Sequence, residues 1–409
     1  VLLRGYRILD LTDQWGIVAG RMLADLGAEV IAVEPPGGNP VRRQPPFGGE
    51  DGRVSLFWEA YAGGKKSVCL DLSHPKGRAA FLGLVAISDG VLESFPPGQM
   101  ARWGLGWEEL RRVNPTLVLT SITPFGQDGP YAHWKATDLV VQAMGGLTYV
   151  TGDADRAPLR ISFPQAGVLA GISGALGTLL ALFHRTRTGQ GQWVDVSAQH
   201  AVARVMDRLI PFADLAGEVL GRHGHWGRPG GGPLRPSLWP CRDGWVCYLM
   251  VGGGVGAKHL KGVIGWMEEE GFDPGVLREL EGMVDFGFNR PEVIPAVTEV
   301  MGRFLADKTK GEVWEQARRR RLLLAPVATP GEAARVALAI DPHFFRREEA
   351  PDGTLRTTMG PFVPWESGNP RRAPALGEHQ GEVLGGLLGL APAEGGLFPR
   401  GEDAPPGPP

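Results

Sequence analysis

Two glycine-rich stretches and a few carboxylates are the residues here whose types and spacing could do chemistry. Gly252, Gly254 and Ala257 fit G-x-G-x-x-A. In that strand–loop–helix signature backbone N–H groups cradle a dinucleotide pyrophosphate, and Glu268–Glu270 could be the acid that follows. The chain would then be an NAD-binding oxidoreductase. The motif is short in a glycine-rich chain, however, and no second strand follows it to end at an acid. The other stretch, Arg228–Pro233, holds Gly230, Gly231 and Gly232. Three glycines let backbone N–H groups approach a carbonyl oxygen, although a flexible linker has the same composition. Asp138, Asp153, Asp155, Ser162 and Gln165 lie around the longest apolar run. Asp153 and Asp155, in TGDADRAP, read as a solvated turn. Cys69, Cys241 and Cys247 are odd in number and show no metal-ligand spacing, so no metal site is expected and a reducing, cytoplasmic setting is.

The elements that must position these groups alternate in the N-terminal third. Strands are expected at Ile8–Leu11, Glu29–Glu34, Ser67–Leu72, Gly90–Glu93 and Thr116–Thr123, with helices at Ile17–Leu26, Pro75–Ile87, Gly98–Trp103 and Trp107–Val113. Such alternation implies an α/β fold of parallel βαβ units. Ligands then sit beyond the carboxyl ends of the strands, at Thr12–Gly16, Glu34–Gly38, Leu72–His74, Ser94–Gly98 and Thr123–Gly129.

The apolar run follows Pro164, a residue suited to a first helical turn. Ala166 to Phe183 carries no charge, and Gly167, Gly171 and Gly174 form one stripe. Val168, Leu169, Ile172, Leu176, Leu179, Leu180 and Phe183 cover the rest, and a helix apolar all round is expected to be buried. The glycines ask for a close backbone neighbour. The run is about long enough for a membrane span, but its glycines, Ser173 and Thr178 suit a core helix better. His184, Arg185 and Arg187 suit its C-terminus, and Trp193–Val196 reads as a strand. After Ala198 one helix is expected through QHAVARVMDRLIPFADL, then a loop over Gly224–Pro240. An Asp-Gly hairpin at Cys241–Trp245 follows, and residues 258–325 are mostly helical.

At 409 residues the chain can hold two or three domains. Its 42 basic and 45 acidic residues nearly balance, which excludes an electrostatic nucleic-acid partner. The N-terminal VLLRGYRILDL has too short an apolar run for a signal peptide, and GEDAPPGPP at 401–409 is expected to be disordered.

Seven stretches, in order, resemble CoA-transferase family III, the CaiB/BaiF group: GYRILDLT, LADLGAEVIAVEPPGG, KKSVCLDL, PPGQMARWGLGWEELRRVNPTLVLTSITPFGQDGPY, TDLVVQAMGGL, R-x-x-T-G-x-G-Q-x-V-D-V-S and LLLAPVATPGEAAR. The resemblance implies a Rossmann-like large α/β domain with an inserted smaller α+β domain in an interlocked homodimer. It divides the chain into 1–205, 206–325 and 326–400. It implies acyl-CoA and a carboxylic acid as substrates, without membrane or nucleic acid. The CoA site it implies is Trp15, Gly16, Leu70, Asp71, Leu72, Ser73, Ser94, Phe95, Pro96, Arg102, Trp103, Lys135 and Thr137, with Gly230, Gly231 and Gly232 over the thioester. Arg102 and Lys135 have phosphates to pair with, and Trp103 has an adenine to stack on. Ala32 replaces a lysine usual in the family.

One departure concerns the chemistry itself. The family's nucleophilic aspartate falls at Gly167, and glycine has no nucleophile. The racemases of the family need that aspartate plus a histidine, and Ala136–Thr137–Asp138 lacks the histidine. Asp138 is the nearest retained carboxylate and the expected catalytic residue. Two classes stay open: a CoA-transferase that works without the usual aspartate, and an acyl-CoA-binding protein that has lost catalysis.

Overall fold

The computed structural model describes residues 2–49, 52–206, 208–227, 233–250, 253–281, 290–340, 344–349, 355–361 and 372–390. The expected tail at 401–409 and Gly230–Gly232 lie outside them. The chain packs as two units. The first is Val1–Tyr149, Arg160–Leu220 and Ile340–Pro409, and the second is Val150–Leu159 and Gly221–Ala339. These divisions differ from those at 205 and 325. The Gly224 N–H donates to the Gly152 carbonyl at 2.8 Å and Arg222 Nε to the Asp153 carbonyl at 3.0 Å, tying 150–159 into the second unit. Lys310 Nζ, 2.7 Å from Glu332 Oε1, ties in the helix that follows 326.

The first unit is built on six strands: β1 Arg7–Leu11, β2 Glu29–Glu34, β3 Lys66–Cys69, β4 Gly90–Glu93, β5 Val118–Thr123 and β6 Gln192–Ser197. All pairings are parallel, in the order β3-β2-β1-β4-β5-β6. That is the doubly wound order, and its near-continuous apolar strands suit a sheet covered on both faces. Among the helices that accompany it are α1 Ile17–Asp25, α2 Leu56–Ala62, α3 Pro75–Ala86, α4 Gln99–Arg102, α5 Trp107–Val113, α6 Asp138–Met144, α7 Gln165–Thr188, α8 Ala198–Arg204 and α9 Leu209–Ala216. Alternate strand residues sort into two cores. Ile8, Val30, Leu92 and Ile122 pack with α1 and α7. Leu9, Ile31, Val91 and Leu119 pack with α3 and α5.

The glycine stripe of α7 is the face laid on α1 and β5. A methyl group added at Gly171 would come within 2.7 Å of Val18 Cβ, and one at Gly174 within 2.4 Å of Ile122 Cδ1. The expectation of burial all round fails on the opposite side. Ile172, Leu176, Leu180 and Phe183 form a row whose exposure runs from 39% to 62%. By length and composition α7 could cross a membrane, but its small-residue face is packed against the sheet. The single helix expected after Ala198 is two, α8 and α9. Pro211 explains the break, because inside a continuous helix it would remove an N–H and clash with the turn before it.

The second unit centres on an antiparallel sheet of β7 Leu238–Cys241, β8 Gly244–Tyr248 and β9 Leu324–Pro326. The expected hairpin turns at Arg242–Asp243. A short strand pair, Trp226–Gly227 with Arg235–Pro236, stands within the expected loop. Helices α10 Gly253–Glu269, α11 Val276–Leu280, α12 Ile294–Ala306, α13 Lys310–Arg320 and α14 Pro330–Ile340 complete it, around Trp239, Trp266 and Phe304. The dinucleotide reading is corrected here. β8 is antiparallel to both neighbours, so no βαβ unit surrounds Gly254 and Ala257. Glu268 ends α10 against Arg278 at 2.6 Å, and Glu270 accepts from Trp266 Nε1.

Candidate functional site

In the order β3-β2-β1-β4-β5-β6 the chain reverses direction across the sheet between β1 and β4. In doubly wound sheets ligands bind outside the carboxyl ends of the strands at this switch point. Asp13 and Ser94 meet there. The Asp13 N–H donates to Ser94 Oγ at 2.8 Å, and Ser94 Oγ donates to Asp13 Oδ1 at 2.8 Å. The loop after β1 is held from below. Asp10 Oδ1 accepts from the Thr12 N–H at 3.0 Å and from Thr12 Oγ1 at 2.6 Å, while Asp10 Oδ2 accepts from Lys65 Nζ at 2.7 Å. Lys65 also donates to the Ile17 carbonyl at 2.9 Å. Its burial pushes its pKa down and Asp10 pulls it back. Four bonds on a buried ion pair leave the Thr12–Gly16 loop little freedom.

That rigid loop presents the Gln14 carbonyl to the start of α7. A methyl group built on Gly167 would lie 2.4 Å from this oxygen, a distance no side chain tolerates. Position 167 therefore has no room for a side chain where this loop stands. The N-terminal N–H groups of α7 are instead taken by Asp138. Its Oδ1 accepts from the Ala166 N–H at 2.8 Å and from the Gly167 N–H at 3.4 Å, and its Oδ2 accepts from Gln142 Nε2. Gln142 Oε1 in turn accepts from the Ile161 N–H at 3.2 Å. One carboxyl group thus joins the first residue of α6 to the first turn of α7. Asp138→Ala should lower stability by about 1–2 kcal/mol, the usual effect of losing a helix cap, as measured by denaturant titration. A change within 0.3 kcal/mol would show that the cap carries no weight.

A second carboxylate cluster was not singled out in the sequence. Glu93 is the last residue of β4 and is 4% exposed. Its Oε2 accepts from the Phe95 N–H at 2.7 Å. Burial raises its pKa to about 7. The Ser121 hydroxyl and the Phe95 N–H oppose the shift, and Asp195 and Asp13 add to it. Burial also raises Asp13 and Asp195. The sequence did carry one signal: an acid closing a strand that is otherwise fully apolar.

The strand-end residues expected to hold CoA come from loops that leave the same edge of the sheet, but they differ in what they offer. Trp15, Leu70 and Leu72 turn their side chains into the cores, so these loops present backbone. Gly16 packs on Thr12. Asp71 accepts from the Ser73 hydroxyl and N–H at 2.6 and 2.9 Å, which holds its pKa down. Ser94 is bound to Asp13. Phe95 and Trp103 meet edge to face at 5.1 Å. Pro96, Arg102, Lys135 and Thr137 are exposed, and Arg102 Nη2 donates to Gln99 Oε1 at 2.7 Å.

The family model described as CoA-transferase family III matches residues 3–380. The chain belongs to CoA-transferase family III. It is 33% identical to the succinyl-CoA:(R)-benzylsuccinate CoA-transferase subunit BbsE of Thauera aromatica, over 93% of this chain and 92% of that one. It is 34% identical to the succinyl-CoA–D-citramalate CoA-transferase of Chloroflexus aurantiacus, over 92% and 91%. Among solved structures, a CaiB/BaiF family protein from Brucella suis superposes with a TM-score of 0.75 at 24% identity, covering 94% of this chain and 98% of that one. This last likeness concerns the fold. As a family III CoA-transferase, the chain handles CoA thioesters, and the switch point between β1 and β4 is where a doubly wound sheet receives its ligand.

Proposed function

We propose that this chain is the non-nucleophilic subunit of a CoA-transferase that moves CoA from succinyl-CoA to another dicarboxylic acid, working with a second family III chain that carries the aspartate. The observation that carries this reading is the 2.4 Å between a Cβ at position 167 and the Gln14 carbonyl. The substrate class is taken from relatives named for succinyl-CoA with benzylsuccinate and with citramalate, the first of them a subunit. The row Ile172, Leu176, Leu180 and Phe183 offers an apolar face for the second chain. A homodimer is the alternative occupant of that face. CoA binds at the strand-end loops, with Arg102 and Lys135 on its phosphates, in a cytoplasmic protein.

A specific observation favours a second reading. Asp138 reaches the Gly167 N–H, so a carboxyl group stands at the same helix N-terminus as the family's nucleophile. In that reading the chain acts alone through Asp138, and an acyl-CoA-binding protein without catalysis is what remains if neither holds.

The test is an exchange assay with succinyl-CoA and a panel of dicarboxylates. It is run on the purified chain, and on the chain co-expressed with a family III protein of the same organism that has the aspartate. Exchange is expected only from the pair. Turnover by the chain alone, with hydroxylamine-sensitive modification of the peptide bearing Asp138, would establish the second reading instead. Calorimetry with free CoA should show binding, and Arg102→Ala or Lys135→Ala should each weaken it by about 1–3 kcal/mol, the range for hydrogen bonds to charged groups. No heat with millimolar CoA would remove both enzyme readings.

A further inference from the structure

On the side of the sheet away from α7, a cavity of about 330 Å³ opens between β5, β6 and the helices α4 and α5. Its size is at the small end of ligand pockets, about 300–1,000 Å³. Met100 and Leu119 give it an apolar wall, and Trp107 and Trp193 add aromatic surface. Its polar groups are few and held in place. Trp193 Nε1 donates to Ser121 Oγ at 3.0 Å, and Ser121 bonds in turn to Glu93. Gln127 Nε2 is buried and has no hydrogen-bond partner. Among the described residues no lysine, arginine or histidine lines the cavity, whereas Glu108 and Glu109 do, paired with Arg111 and Arg112 at 3.6 and 3.3 Å.

These features define a ligand class. With Glu108 and Glu109 already paired, the charge left in the lining is the Glu93 carboxyl group, and a cavity with a carboxylate and no cation of its own suits neither CoA nor the acids of the transfer reaction. A buried carboxyl group with no counter-ion is best satisfied by a cation that donates N–H bonds to it. Tryptophan faces attract the same charge. The unpaired Gln127 amide needs an acceptor atom on the ligand or a water beside it. We propose that this cavity is a second small-molecule site, which takes a compact organic cation, an amidine or primary amine on a flat apolar body, with its N–H groups on Glu93. The site is independent of the proposed subunit role, although Pro96 touches both it and the loop assigned to CoA.

Isothermal titration of the full chain at pH 8 with benzamidine, benzamide and benzoate tests it. Benzamidine should bind with a dissociation constant on the order of 1 mM or tighter, benzamide roughly tenfold more weakly, and benzoate not at all. Glu93→Gln and Trp107→Ala should each weaken benzamidine roughly tenfold. Binding should also weaken from pH 8 to pH 6 as Glu93 takes up a proton. Asp13 and Asp195 are the other acids near it, and His200 acts on Asp195. CoA affinity should be the same in both variants. The proposal is overturned if benzoate binds as tightly as benzamidine or if both substitutions leave benzamidine unaffected. It also fails if no heat appears at ~10 mM probe, or if Glu93→Gln weakens CoA as much as benzamidine, which would make the cavity part of the CoA site.

Discussion

Gly167→Asp is expected to lose stability and to gain no acyl adduct. The added Cβ would stand 2.4 Å from the Gln14 carbonyl oxygen. A backbone atom cannot rotate away, and this one belongs to a loop fixed by Thr12, Asp10 and the buried Lys65. The new carboxylate would also come up beside Asp138, whose Oδ1 already lies 3.4 Å from the Gly167 nitrogen. Overpacking costs ~1–3 kcal/mol, and crowding two carboxyl groups adds to it, for a total on the order of 3 kcal/mol. For a unit of this size that corresponds to a fall in melting temperature of roughly 3–6 °C. Gly167→Ala should show most of the loss, because the clash begins at Cβ. Scanning calorimetry of both variants, with hydroxylamine trapping after succinyl-CoA, checks this. An aspartate variant that melts like the parent and is acylated at 167 would show that the loop yields, and would end the subunit proposal.

The second large effect is on pH dependence. Glu93 holds its proton up to about pH 7 in the folded state, against 4.5 ordinarily. The folded protein therefore binds the proton more tightly than the unfolded chain does. The corresponding stability is present below about pH 4.5, declines as pH rises towards 7, and is absent above that. The difference is on the order of 3 kcal/mol. Glu93→Gln keeps the acceptor for the Phe95 N–H and removes the ionisation. It should match the parent near pH 5 and exceed it by on the order of 3 kcal/mol at pH 8. Urea titrations of the two proteins from pH 5 to pH 8 measure this directly. A difference that stays flat over that range would mean that Glu93 does not titrate there.

Much of the large unit was legible because its signals are local. Glu29–Glu34 and Gly90–Glu93 have the expected bounds, since a buried apolar run between turn residues marks its own ends, and Trp107–Val113 does too, between Gly106 and Asn114. Reading failed where a pattern had to name its partner. Gly254 and Ala257 suit a parallel βαβ turn, yet β8 pairs antiparallel on both sides. The apolar residues of α7 announced burial, but periodicity counts side chains and not what covers them, so the exposure of Leu176 and Leu180 escaped it.

The sequence by itself determined the alternating α/β order, which rests on spacing along the chain, and the family, which rests on the resemblance of its ordered motifs. Only the tertiary structure decided that position 167 has no room for a side chain, that Asp138 holds the start of α7, and that Glu93 lies buried beside Ser121 with Asp195 near it. Each of these joins segments far apart in sequence, brought together when parallel strands align their carboxyl ends at one edge. Burial and the resulting pKa are properties of that meeting and of no residue alone.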